Sequence, residues 1–176
     1  MEEYAIRKSN PEDVPRILEL TRAHSVTRNS VVPGFLEFPI PSHAAYLARI
    51  KSSTFCYVAT ANEIVGFLLT YPRSSLEQEL VSGPIVDRLL QRDGNFVYLE
   101  QVAVKETHHR KGIAQALFDR CLSDAKETGH STTYGATSHA PIRNTPLIKL
   151  LSSCGFQHQE EITFDSLTFG LYSRIN

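Results

Sequence analysis

The chain has 176 residues, the length of one ordinary domain and enough to bury a single hydrophobic core. Hydrophobic residues make up 41% of it and charged residues 21%, a composition that excludes a disordered or fibrous protein. The net charge is -1 and the basic residues are scattered, so the basic footprint expected of a general nucleic-acid binder is missing. No apolar run is long enough to cross a bilayer, and the start Met1-Glu2-Glu3 is acidic, unlike a secretory signal. We therefore expect one domain over residues 1–176, located in the cytoplasm, with neither nucleic acid nor a membrane as partner.

The first half of the chain predicts a strand, two helices and a hairpin. A strand over residues 4–8 precedes a helix that starts within residues 10–13, where a capping side chain, a proline and early acidic residues are typical of a helix start. Residues 25–41 have no clear period and predict an irregular connection with room for one short helical turn. Apolar residues at helical spacing then predict a second helix. The β-rich runs 55–60 and 64–71 lie close enough together to predict a hairpin.

The second half predicts strands that alternate with helices. Residues 72–94 are polar and broken by glycine and proline, although four apolar residues from Ile85 to Leu90 fit one face of a helix. A strand rich in valine and aromatic residues is expected over 95–104. The elements expected after it are a helix from 113 to Gly129, a strand over 131–137, a helix from Asn144 to Gly155, and two strands joined near Asp165. This order predicts a mixed α/β fold without an internal repeat.

The turn His109-Arg110-Lys111-Gly112-Ile113-Ala114 carries the strongest chemical signal. It follows a strand and opens a helix, so unpaired backbone N–H groups and the positive end of the helix dipole attract an anion there. Gly112 lets a phosphate approach the main chain, Gln115 offers a further donor, and the two basic residues add positive charge. The turn lacks the Gly-Lys-Ser/Thr ending of a P-loop, and it also lacks the three spaced glycines of a dinucleotide-binding fingerprint. The same residues also fit a plain helix start with solvated turn charges, and the turn alone leaves both interpretations open.

The pattern His109-x-x-Gly112-x-Ala114 resembles the phosphate-binding motif Gln/Arg-x-x-Gly-x-Gly/Ala of the GNAT superfamily of N-acetyltransferases, with His109 in place of the leading residue. The strand over 97–104 ends just before the turn, as the fourth strand of that family does. The run from Asn144 to Gly155-Phe156 resembles the family's later helix, and the element order agrees over nearly the whole chain. The resemblance implies a mixed, centrally splayed β-sheet flanked by helices. It also implies an N-acetyltransferase that moves the acetyl group of acetyl-CoA to a primary amine.

The resemblance also implies roles for individual residues. Glu100 corresponds to a strand glutamate that activates the amine in some relatives, although it also fits a surface carboxylate paired with a base. Main-chain groups of Val102 and Val104 are expected to hold the pantetheine arm, and the N–H near Val102 to polarise the acetyl carbonyl. Asn144 would bond the cofactor or serve only as a helix cap. The predicted cofactor-binding residues are Val102, Ala103, Val104, His109, Arg110, Lys111, Gly112, Ile113, Ala114, Gln115 and Asn144.

The tyrosine that protonates the departing thiolate in many relatives has no counterpart here. That tyrosine lies four residues before the glycine of the Gly-Phe ending, and Leu151 occupies the position in this chain. The thiolate must then take its proton from another group or from water. Tyr134, Ser152 and Tyr172 are replacement candidates by proximity, and each also fits a structural or solvated role.

Neither a metal site nor a disulfide is expected. The adjacent His108 and His109 lack a third ligand at a recognisable spacing, and His139 and His158 are expected to be surface or hydrogen-bonded residues. The three cysteines lie among apolar residues without metal-ligand spacing, so we expect reduced core thiols.

The acceptor amine is not identified by the sequence. It is a primary amine of a small molecule, a peptide N-terminus or a lysine, and relatives bind it with segments that correspond to residues 25–41 and 72–94. Assembly as a homodimer is compatible with this interpretation. Acidic residues that would attract a cation there, although they also fit a solvated surface, are Glu37, Glu77, Glu79 and Asp87. The alternatives are a non-catalytic acyl-CoA-binding or sensing domain, which the leucine at position 151 favours, and an unrelated α/β interaction module that binds no acetyl-CoA.

Overall fold

The computed structural model describes residues 4–176, so the acidic start Met1–Glu3 lies outside the described residues. The strands are β1 (Ala5–Lys8), β2 (Ser25–Val26), β3 (Phe35–Leu36), β4 (Tyr57–Thr60), β5 (Ile64–Pro72), β6 (Phe96–Val104), β7 (Thr132–Ala140), β8 (Gln157–Phe164) and β9 (Leu167–Ile175). The helices are α1 (Val14–His24), α2 (His43–Ser52), α3 (Arg73–Leu76), α4 (Pro84–Leu90), α5 (Ile113–Glu127) and α6 (Thr145–Ser153). Short 3-10 turns at Pro11–Asp13 and Glu106–His108 precede α1 and α5.

Seven strands form one sheet in the order β1-β4-β5-β6-β7-β9-β8, while β2 and β3 form a separate parallel pair. Neighbouring strands of the large sheet are antiparallel except β6 and β7, which run parallel. The closing hairpin inserts its second strand, β9, between β7 and β8. The mixed α/β sheet flanked by helices that the sequence predicts is therefore confirmed.

Each face of the sheet carries its own hydrophobic cluster. One face packs against α1, α2 and α4, with Tyr46 and Phe67 fully buried, and the other packs against α5 and α6 around Leu117 and Phe118. Burial of side chains this large stabilises the fold by about 1.5–3 kcal/mol each. The cysteines are free and buried, as predicted, and burial raises the pKa of two of them to about 12: Cys56 and Cys121.

The start of α1 shows how local sequence fixes an element. Asn10 Oδ1 accepts a hydrogen bond from the backbone N–H of Glu12, and the Asp13 carboxylate accepts one from the N–H of Asn10 at 2.8 Å. Arg7 donates two more hydrogen bonds to the buried Asp13, at 2.7 and 2.8 Å. Because these bonds satisfy donors that precede the first helical turn, the helix begins where the sequence predicts.

Two loop regions contain elements that differ from the prediction. Residues 25–41 hold the β2–β3 pair and no helical turn. Gly34 lies against the end of α1, where a Cβ would be 2.3 Å from the carbonyl oxygen of His24. The region before β6 holds the predicted helical face as α4, together with the unpredicted short helix α3. Among residues 4–176, no helix is long and apolar enough to cross a membrane.

Candidate active site

A cleft opens where β6 and β7 separate. The two strands are paired only between Phe96–Leu99 and Thr132–Gly135, and their second halves diverge. The resulting cleft has a volume of about 1540 Å³, and its lining includes residues of α1 and α2 on one side of the sheet and of α5 and α6 on the other. The separation of strands that the resemblance implies is thus present at this point of the sheet.

A β-bulge places Glu100 at the start of this separation. β5 pairs Leu69 with Gln101 and Thr70 with Leu99, which leaves Glu100 as an extra residue of β6. A bulge interrupts the regular alternation of side chains along a strand. Here both Glu100 and Gln101 face α2, where their side chains meet Arg49 and Tyr46.

The Glu100 carboxylate is buried but lines the cleft. Its side chain is 8% exposed, and Arg49 Nη1 donates to both of its oxygens at 3.3 Å. Burial raises the pKa of Glu100, while the charge of Arg49 and the hydroxyl of Tyr71 lower it, and burial has the largest effect. A carboxyl group with a raised pKa is a stronger base than an exposed one, so this arrangement suits proton transfer at neutral pH.

Two buried polar atoms in the cleft lining have no hydrogen-bond partner among the described residues. They are Nε2 of Gln101 and Oγ1 of Thr137. The amide oxygen of Gln101 is occupied, since it accepts a hydrogen bond from Tyr46 Oη at 2.9 Å. An unsatisfied buried donor costs about 1–3 kcal/mol. A bound polar ligand would remove that cost at both positions.

The free edge of β6 faces the cleft beyond Leu99. Val104 lies opposite Gly66 of β5, and the next residue, Lys105, donates its backbone N–H to Val65 at 2.7 Å. Along an antiparallel strand, the main-chain groups of alternate residues bond to the partner strand. Since the N–H of Lys105 bonds to β5, the N–H and C=O groups of Val104 and Val102 point away from β5. The predicted main-chain groups therefore point into the cleft, whereas the main chain of Ala103 pairs with β5.

Two histidine side chains contact one of these main-chain groups, the carbonyl of Val104. The carbonyl oxygen of Val104 accepts a hydrogen bond from Nε2 of His109 at 2.7 Å, and Nε2 of His24 lies 2.9 Å from the same oxygen. Of the two main-chain groups of Val104 predicted to hold the pantetheine arm, only the N–H is still available, because the carbonyl oxygen is bonded within the protein. His109, which replaces the motif's leading residue, thus ties the turn to the strand.

The turn before α5 forms a concave backbone at the cleft wall. Arg110 and Gly112 have positive φ angles of 63° and 80°, and the first hydrogen bond of the helix runs from the N–H of Ala116 to the carbonyl of Gly112 at 3.0 Å. The N–H groups that precede Ala116 therefore project from the helix N-terminus, where the dipole is positive. Among the described residues, a Cβ at Gly112 would meet only Tyr4 Oη, at 3.6 Å, so the glycine is favoured by its φ angle rather than by space.

The side chains of the turn differ in their access to the cleft. Arg110 lines it and is exposed, and Ile113 and Ala114 line it from the first turn of α5, but Lys111 is exposed outside the lining. The predicted further donor, Gln115, lines the cleft with its amide already engaged. Its Nε2 donates to Asp119 and Cys154, at 2.8 and 3.1 Å. Only the backbone N–H of Gln115 fits the predicted role.

Asn144, which caps α6, and Leu151, which lies within it, both line the cleft. Asn144 Oδ1 accepts a hydrogen bond from the N–H of Leu147 at 3.2 Å, so the helix-cap role is present in the structure. Leu151 is buried against β7, where one of its methyl groups would lie 3.3 Å from a Cβ at Gly135. An apolar side chain therefore fills the place of the family's tyrosine.

The replacement donors suggested by sequence lie outside the cleft lining. Tyr134 packs edge-on against Phe96 in the cluster below α4. Tyr172 Oη is 2.9 Å from Nε2 of His139, and Ser152 is exposed. None of the three faces the point where β6 and β7 separate. Among the described residues, Thr137 lines the cleft with a buried hydroxyl that has no hydrogen-bond partner.

The half of the cleft beyond Glu100 is largely apolar. The acidic residue expected to attract a cation there, Glu37, forms a bidentate ion pair with Arg28, and Glu77, Glu79 and Asp87 do not line the cleft. The apolar side chains that line this half include Phe35, Phe38, Ile40, Ile85, Phe164 and Phe169.

Sequence reasoning did not identify Arg49, Gln101 or His24 as site residues. Arg49 reaches Glu100 across 51 positions and His24 reaches Val104 across 80. No local pattern marks such pairs, because they depend on how α1 and α2 pack on the sheet. Gln101 follows Glu100 directly, but alternation along a regular strand would have placed it on the opposite face.

Comparison with known proteins agrees with this geometry. The family model described as the Acetyltransferase (GNAT) family matches residues 22–156. No curated protein sequence matches the chain. Among solved structures, Ard1 from Thermoplasma volcanium is similar with a TM-score of 0.70 and 18% identity, covering 98% of this chain and 97% of that one. Arabidopsis thaliana NAA60 in complex with acetyl-CoA gives a TM-score of 0.68, 17% identity and 98% coverage of both chains.

A third similar structure is yncA from Salmonella typhimurium with its cofactor acetyl-CoA. Its TM-score is 0.68 at 16% identity, with 98% of this chain and 94% of that chain covered. At these identities the structures establish a shared fold, and the family match extends over more than half of the sequence. From the splayed sheet, the turn before α5 and the family match together, the chain belongs to the GNAT family of acetyltransferases.

Proposed function

We propose that the protein transfers the acetyl group of acetyl-CoA to a primary amine by direct attack of the amine on the thioester. The observation that carries this proposal is the buried Glu100 carboxylate at the point where β6 and β7 separate. It lies between the backbone turn before α5 and the apolar half of the cleft. A base at this position suits a reaction in which the two substrates enter from opposite sides of the sheet.

The cofactor half would hold acetyl-CoA mainly through main-chain groups. The N–H groups from Gly112 to Gln115 would bind the pyrophosphate, with Arg110 and Lys111 adding positive charge. The N–H and C=O of Val102 and the N–H of Val104 would bond the pantetheine arm. Ala103, His109, Ile113, Ala114 and Asn144 complete the proposed site as structural or lining residues. Support comes from similar structures that contain this ligand, such as Arabidopsis thaliana NAA60 in complex with acetyl-CoA.

Glu100 would act as the general base, directly or through water. As the amine nitrogen forms its bond to the acetyl carbon and the carbon–sulfur bond breaks, the amine loses a proton that Glu100 accepts. The pKa of Glu100 is raised by burial, which favours this step. The thiolate would take its proton from water, because Leu151 replaces the family's tyrosine. The N–H near Val102 would stabilise the developing oxyanion.

We further propose that the acceptor amine is carried by an apolar group. The acceptor half of the cleft is lined by aromatic and aliphatic side chains, and the carboxylate of Glu37 is neutralised by Arg28. A peptide N-terminus with a bulky apolar first residue, or a small amine with an aromatic substituent, fits these surroundings. A second cation next to the amine would be desolvated there without a free partner.

A screen of amines and peptides that reports CoA release tests these statements together. The panel should contain peptides that start with phenylalanine, leucine, aspartate or lysine and are otherwise identical, together with aromatic and aliphatic amines. We expect amine-dependent release that is fastest for apolar N-termini or aromatic amines. Acetyl-CoA binding without release across the panel would instead support a non-catalytic acyl-CoA-binding domain, the alternative that Leu151 favours.

A further inference from the structure

We propose that a second site, formed by His139, His158 and Glu161 on the sheet, binds one divalent transition-metal ion of the zinc class. Each of the three residues offers one ligand atom, and these atoms lie within 4.8 Å of one another. Glu161 Oε1 is 2.7 Å from Nδ1 of His139 and 3.6 Å from Nε2 of His158. Ligand atoms about 2.0–2.1 Å from a tetrahedral zinc ion lie about 3.3 Å apart, so binding would change each separation between these atoms by at most about 1.5 Å.

Two β-bulges bring these residues to one face of the sheet. β8 pairs His158 with Tyr172 and Glu160 with Leu171, so Gln159 is an extra residue, and Glu161 then lies opposite Gly170. Without the bulge, positions 158 and 161 would face opposite sides. β7 has a second extra residue, because Ser138 pairs with Phe169 and Ala140 with Thr168. That extra residue is His139.

The neighbouring strand β9 holds His139 in position. The imidazole lies directly over Gly170, where a Cβ would be 2.3 Å from Nε2, so a glycine is needed for the ring to lie there. Nε2 of His139 is 2.9 Å from Tyr172 Oη, which leaves Nδ1 directed to the carboxylate of Glu161. A histidine ligand usually bonds a second group through its other nitrogen in this way, which fixes the ring and its tautomer.

The donor set selects the class of ion. Two imidazoles and one carboxylate suit zinc, copper or nickel, whereas calcium and magnesium prefer oxygen ligands. The side chain of His139 is 8% exposed, but those of His158 and Glu161 are 43% and 46% exposed. Water can therefore supply a fourth ligand. A bound ion would join the edge strand β8 to β7 across β9, outside the lining of the acetyl-transfer cleft.

Calorimetric titration of the full-length, tag-free, chelator-treated protein with Zn²⁺ tests the proposal. We expect one zinc ion per chain. His158→Gln should weaken binding by at least about tenfold because it removes a ligand, and Tyr172→Phe by roughly 10–100-fold because it removes the partner of His139. Co²⁺ bound to the wild type should show the absorption of a four-coordinate ion, since its spectrum reports coordination number.

The matched control is His43→Gln, which removes an exposed histidine at the start of α2 and should leave zinc affinity unchanged. Equal affinities for the His158 and His43 variants would overturn the proposal, as would the absence of saturable binding. Loss of the zinc site in His108→Gln with retention in His158→Gln would place the ion at the turn before α5 and also overturn it. Circular dichroism of each variant separates lost binding from lost folding.

Discussion

The carboxylate of Glu100 reaches the cleft because β6 contains one extra residue. The bulge turns Glu100 and Gln101 to the same side of the sheet, toward α2. There the carboxylate is shielded from water and paired with the guanidinium of Arg49. Burial favours the protonated form and Arg49 favours the charged form, so the proton affinity of this group depends on both.

Replacing Glu100 by glutamine should lower kcat by about 10²–10⁴-fold and leave acetyl-CoA affinity unchanged, because the amide keeps the shape of the side chain but cannot accept a proton. The proposed base accepts a proton only in its ionised form, so the wild-type rate should fall as pH decreases through the pKa of Glu100, which burial raises above the ordinary 4.5. The variant should not show this fall in rate at low pH, which is the acidic limb of the pH–rate profile. CoA release measured against pH provides the test, with Glu127→Gln at the exposed end of α5 as control. A pH profile equal to that of the wild type would exclude Glu100 as the base.

Arg49→Met should move the acidic limb rather than remove it. The positive charge of Arg49 lowers the pKa of Glu100, so its removal should raise that pKa and shift the fall in rate to higher pH. The rate at neutral pH should fall and recover at higher pH, which a loss of folding would not produce. A limb that stays in place or moves to lower pH would contradict the proposed coupling between the two side chains.

At the scale of residues, the sequence identified Glu100 but not its surroundings. The glutamate was recognisable because it lies within a strand that precedes the turn at Gly112. Arg49 belongs to a helix formed 51 positions earlier, and nothing in its local sequence distinguishes it from a solvated arginine. Leu151, unlike Arg49, could be recognised from the sequence alone, because it stands at the position of the family's tyrosine.

The turn before α5 combines a helix N-terminus with a left-handed glycine. Gly112 has a φ of 80°, and Gly129, just beyond the other end of the same helix, has a φ of 76°. A Cβ at Gly129 would meet nothing within 4 Å. The two glycines are therefore matched in backbone strain, but only Gly112 lines the cleft.

Glutamate at either glycine should cost about 1–2 kcal/mol of folding stability, because a side chain is strained at these φ angles. Only Gly112→Glu should also weaken acetyl-CoA binding, since it adds bulk and negative charge where the phosphates would bind. Chemical denaturation measures the first effect and calorimetry the second. Unchanged affinity in Gly112→Glu, or an equal loss in Gly129→Glu, would refute the assigned phosphate site.

At the scale of elements, the sequence predicted the helices and strands that have a clear hydrophobic periodicity or a recognisable capping residue. Asn10 and Asp13 marked the start of α1, and the three-residue connection 61–63 marked the β4–β5 hairpin. The parallel pair β2–β3 could not be predicted, because each strand has two residues and depends on the close approach of Gly34 to α1. The bulges in β6, β7 and β8 are set by pairing with neighbouring strands and have no local signature.

The cleft reaches both faces of the molecule, and a ligand within it would contact several elements at once. Acetyl-CoA at about 100 times its Kd should therefore stabilise the fold by about 2.7 kcal/mol, because it binds the native state alone. For a chain of this length that corresponds to a rise in Tm of roughly 5–10 °C. Thermal unfolding with and without the ligand measures it, with pantetheine, which lacks the pyrophosphate, as the weaker control. No rise at saturating acetyl-CoA would count against the cofactor proposal.

At the scale of the whole molecule, the order of elements predicted the fold class but not the strand order. Successive strands are often neighbours, yet β9 inserts between β7 and β8, and β6 runs parallel to β7. These arrangements are decided by which apolar faces pack together. The splayed sheet was predicted from the resemblance to the GNAT superfamily, because composition and periodicity alone do not predict a separation of strands.

Arg49 links Glu100, the proposed base, to the segment that precedes α4. Besides its contact with Glu100, its Nε donates a hydrogen bond to the carbonyl of Leu80 at 2.9 Å. The guanidinium therefore cannot follow a movement of this segment without changing its distance from the carboxylate. An acceptor that displaces the segment on entry would alter the pKa of the proposed base, so that substrates of equal affinity would differ in the pH dependence of their turnover.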